Sequence, residues 1–136
     1  MATQPRFSKT VVAVPNVQII DVTLTTIYAV NANFDSRITG VNISTDDTAI
    51  NNATLYISDG IIDYPAGNLP IPAGAGVTVS ILPVGMIASL PTVFREIDNN
   101  GVSVLNLPKG NSIKIKMSAV TATKKVFILI KAELYD

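Results

Sequence analysis

Apolar and polar positions alternate in short runs along this chain, the period of two that marks half-buried β-strands. The cleanest run is 111–119, where Ile113, Ile115 and Met117 face one way and Ser112, Lys114, Lys116 and Ser118 the other. Similar patterns predict strands over 10–14, 17–25 (Ile20, Val22 and Leu24 inward), 26–30 and 37–45, with Val41 and Ile43 inward and Gly40 as a bulge. Further strands are expected over 53–58, 77–82, 92–98, 102–107 and 125–135. The centre of the last one is apolar on both faces, as for a strand covered on both sides.

Turn signals separate these runs. Pro15-Asn16, the Asn-rich 31–36, Asp46-Asp47 with Asn51-Asn52, Asp59-Gly60 and 121–124 all favour reversals. Asn99-Asn100-Gly101 reads as a hairpin with Asn-Gly at the positive-φ positions. The Pro-rich 61–72 is expected to be a loop or crossover, because proline is excluded from interior strands. Residues 84–90 suit a short helical turn. Pro72-Ala-Gly74 and Pro108-Lys-Gly110 repeat one corner at an offset of 36 residues, without extending into a true repeat. Nine or ten short strands with frequent corners predict an all-β fold, a single antiparallel β-sandwich of jelly-roll or immunoglobulin-like type, with a closed barrel as the alternative. The sandwich is expected over 10–136, preceded by an extended N-terminal arm at 1–9.

Composition agrees. Val, Ile and Thr fill 45 of the 136 positions, a β-branched excess that favours pleated structure. The length matches one domain. No Cys or His occurs, which excludes thiolate and imidazole metal sites, Cys nucleophiles, Ser-His-Asp triads and disulfide frameworks. The start of the chain lacks the apolar core of a signal peptide, and the longest strongly apolar run, 126–130, is far too short to cross a membrane as a helix.

Ten acids balance ten bases, which argues against a nucleic-acid or membrane partner held by a basic surface. The balance is uneven, since six lysines lie after residue 108. They read as a solvated strand face that discourages edge pairing, or as a contact for an acidic partner. Carboxylates pair as Asp46/Asp47, Asp59/Asp63 and Glu96/Asp98, yet nearly all adjoin turn residues, where Asp serves the backbone. They lack the spacing of known calcium loops. Neither catalysis nor a metal nor a cofactor is expected. Tyr28, Tyr56, Tyr64 and Tyr135 are the side chains able to stack on a sugar.

A mean hydropathy of +0.41 with only 15% charged residues leaves more apolar surface than one small core absorbs, so other subunits are expected to cover the rest. The candidate subunit or capsid interface comprises Phe7 on the arm, Ile61, Ile62 and Leu69 in the Pro-rich segment, Met86 and Ile87, and Phe127 and Leu129 on the last strand.

The segments Thr25-Thr-Ile-Tyr-Ala-Val30, Ser36-Arg-Ile-Thr-Gly-Val-Asn-Ile-Ser44, Ala53-Thr-Leu-Tyr-Ile-Ser-Asp59, Leu69-Pro-Ile-Pro-Ala-Gly74 and Leu105-Asn-Leu-Pro-Lys-Gly-Asn-Ser-Ile113, followed by the last strand, are shared in kind and order with one class. Over roughly residues 20–135 the chain resembles the small β-sandwich virion proteins of tailed bacteriophages, the head decoration, auxiliary and neck or tail accessory class. The resemblance implies a non-enzymatic structural subunit, a homo-oligomer that binds the capsid or other virion proteins and is made in the host cytoplasm. It carries no catalytic residues. The insert at 83–101 departs from a pure decoration pattern and suits a ring or fibre position. The alternative is a receptor- or carbohydrate-binding module of a tail or fibre, with an enzyme third.

Overall fold

The computed structural model describes residues 8–30, 35–78, 80–85, 87, 96–97, 101 and 103–135, with side chains from 17 to 134. Ten strands make up its regular structure: β1 (Ser8–Ile19), β2 (Thr25–Ala29), β3 (Asp35–Thr45), β4 (Asn51–Ser58), β5 (Asp63–Ile71), β6 (Val84–Gly85), β7 (Glu96–Ile97), β8 (Ser103–Leu107), β9 (Ser112–Met117) and β10 (Val126–Tyr135). They form two antiparallel sheets. One has the order β1-β10-β3-β8-β7, with β6 also on β3, and the other the order β2-β9-β4-β5.

The pairing is nested. β1 pairs with β10, β2 with β9, β3 with β8 and β4 with β5, as if one long hairpin had been rolled so that successive rungs fall in alternate sheets. With β6 and β7 set aside as additions to the β5–β8 connection, this is the eight-strand, double-sheet jelly roll. It selects between the two sandwich types the sequence left open.

Inward positions build the core. Ile38, Val41 and Ile43 of β3 and Val126, Ile128, Ile130 and Ala132 of β10 face Ala53, Leu55 and Ile57 of β4 and Ile113, Ile115 and Met117 of β9, all buried. Each large side chain so enclosed contributes about 2 kcal/mol. Thr39 is the extra residue of a bulge beside Gly40, where the β3–β10 register shifts.

Five expectations change. The strand expected over 17–25 is two strands, because Asp21 Oδ1 accepts the Thr23 N–H at 2.9 Å and turns the chain; Ile20 and Val22 are exposed instead of inward. Pro15-Asn16 does not end β1 but lies where its register shifts. The Pro-rich segment is largely β5, an edge strand whose Pro65 and Pro70 need no ladder partner outward. The described part of 77–82 is turn, since Gly74 O accepts both the Val77 and Thr78 N–H groups and Ile81 O accepts the Gly76 N–H. The helical turn expected over 84–90 does not begin at 84, where β6 pairs with Asn42 and Ile43, but Ile87 is in a 3₁₀ turn. By contrast, β7 and β8 form the expected hairpin. The two Pro-x-Gly corners are alike, each with a 3.2 Å bond from the fourth residue's N–H to the proline carbonyl and with glycine at φ 70° or 78°.

Candidate interaction surface

The tip of the β4–β5 hairpin is held by its own polar atoms. Asp59 Oδ1 accepts the N–H groups of Ile61 (2.9 Å) and Ile62 (2.8 Å), Ser58 Oγ accepts the Gly60 N–H at 3.2 Å, and Ile62 O accepts the Asp59 N–H at 3.3 Å. Gly60 supplies the positive φ of 94°. These N–H bonds hold the Asp59 carboxyl below its ordinary pKa. The turn carries Ile61, 90% exposed, and Ile62, half exposed. A large apolar side chain is thus presented on a fixed turn, with little ordering left to lose on contact.

At the opposite end, loops β1–β2, β3–β4, β9–β10 and the start of β5–β6 lie together. Asp47, 1% exposed, is their knot. Its Oδ1 accepts from the Ala49 N–H (3.0 Å) and Thr121 Oγ1 (2.6 Å), and its Oδ2 from Asn51 Nδ2 (3.0 Å) and the Thr121 N–H (2.8 Å). Burial pushes its pKa up, but the bonds from Thr121, Ala49 and Asn51 outweigh that and hold it at about 2. Asp47 O accepts the Gly74 N–H and Asp46 Oδ1 the Lys125 N–H. Around this knot Ile20, Val22, Ile50, Val77 and Leu82 are exposed, Leu82 by 80%.

The outer face of the six-stranded sheet carries Leu129, exposed, and Phe127, half-buried, opposite Asn42 and Ser44 of β3. β3 pairs with β8 at Ser36–Ile38 and with β6 at Asn42–Ile43, and between these contacts lies a shallow pocket of about 260 Å³ lined by Gly40, Val41, Asn42, Gly85, Ile87 and Ser103 among others. A second cleft, of about 230 Å³, is lined mainly by Ile57, Leu105, Leu107, Pro108, Asn111 and Glu96.

Of the interface residues expected from sequence, Ile61, Ile62, Phe127 and Leu129 reach the surface, on two separate regions. Phe7 and Met86 lie outside the described residues. Leu69 and Ile87 are corrections. Leu69 points inward from β5 and is 8% exposed, while Ile87, 5% exposed, packs into the core and forms the floor of the pocket. The last strand is covered on one face only, so its outer face stays open. Ile20, Ile50, Leu82 and Ile97 were missed. Ile50 had a readable signal, an isoleucine stranded inside a polar turn.

Three of the carboxylates expected to serve turns do so, and two make side-chain contacts on strands instead. Asp46, Asp47 and Asp59 hold backbone N–H groups, Glu96 Oε2 accepts from Asn106 Nδ2 at 2.5 Å, and Asp63 meets Lys114 Nζ at 2.9 Å. The Lys114 bond, with one from Ser58, holds the Asp63 carboxyl below its usual range. Asp98 lies outside the described residues. The late lysines do not form one patch, since Lys114 and Lys116 lie outward on β9, Lys131 on β10, and Lys109, Lys124 and Lys125 in connections at opposite ends. Tyr28 is buried, with its hydroxyl 2.9 Å from Ser36 Oγ, Tyr56 is half-buried and Tyr64 exposed. Among the described residues no cluster of three or more acids could hold a metal ion, and no helix is long and apolar enough to cross a membrane. No protein-family model, curated protein or solved structure matches the chain.

Proposed function

We propose that this protein is a non-enzymatic structural component of a tailed-phage virion, a jelly-roll subunit that associates with its own copies and seats on the capsid or neighbouring virion proteins. One observation carries the reading: the folded chain leaves large apolar side chains bare on turns that its own hydrogen bonds hold rigid, with Ile61 nine-tenths exposed. Singly scattered apolar residues are ordinary on a surface, but a pinned turn that spends three side-chain bonds to display isoleucine is an anchor ready to be covered. The jelly roll adds support by analogy alone, since capsid and lectin domains both use it. The open face at Phe127 and Leu129 gives such a subunit a second contact region.

The test is particle binding. Purified particles from a host producing the phage are expected to contain the protein by mass spectrometry, and particles assembled without it are expected to bind added protein on sedimentation. Its absence from particles, together with failure to co-sediment, would overturn the reading.

A further inference from the structure

We draw no further inference here: the strongest candidate, the surface patch of exposed Ile20, Val22, Ile50, Val77 and Leu82 on the loops around the Asp47 knot, carries nothing because nothing in the structure shows what covers it.

Discussion

Asp47 shows how a single carboxylate can be both buried and ionised. Its two oxygens take four bonds, and each oxygen accepts at least one backbone N–H, so an amide in either orientation sets its own donor against another. Asp47→Asn is therefore expected to cost about 2–3 kcal/mol at neutral pH, measured by urea denaturation. The pH dependence has a definite sign. A folded pKa of about 2 below an unfolded value of about 4 means that the stabilisation, about 2.5 kcal/mol, is complete above pH 4 and is lost as pH falls toward 2. The wild-type protein should lose that increment over this window and Asp47→Asn should not. Gly76 gives a second contrast. It has φ 72°, and a Cβ there would lie 2.5 Å from Ser44 Oγ and 3.0 Å from Pro83 Cγ, whereas Gly101, at φ 78°, faces open space. Gly101→Ala should cost about 1 kcal/mol for the backbone alone, and Gly76→Ala clearly more, as the difference in thermal midpoint will show.

Among the elements, β5 matters most for what it prevents. It is the edge of the four-stranded sheet, and Pro65 and Pro70, both exposed, interrupt the row of donors that another strand would pair with. Replacing both prolines with threonine is expected to leave the fold intact and to raise turbidity on gentle heating; an unchanged clear solution would show that the prolines do not guard this edge. The same strand marks where sequence reading stops. Period-two alternation revealed β4 and β9, because each has one wet face and one dry face, but at β5 the prolines signalled a loop, since edge position is a tertiary fact that no local pattern carries. Ile20 and Val22 failed for a related reason: their alternation continued through an Asp21 turn whose hydrogen bond decides the geometry. Of the expected interface, Ile61 was legible as an apolar residue beside an Asp-Gly turn. The pocket was not, because it arises from β3 exchanging one distant partner for another.

At the scale of the whole molecule, the nested pairing places most contacts far apart in sequence. β1 and β10 join residues more than a hundred positions apart, and loop closure on that scale slows folding. Refolding monitored by stopped-flow is expected in the millisecond-to-second range; a microsecond phase recovering full native signal would contradict it. The position of β10 also has a biological consequence. It lies between β1 and β3, so the strand of this sandwich made after all its others is the one that joins the first to the third, and the core cannot shut until β10 has left the ribosome. A polypeptide released early, by a premature stop or a frameshift, would keep its oily faces open to chaperones and proteases. Only copies translated through β10 would close this core, which makes the topology a check on the integrity of the message.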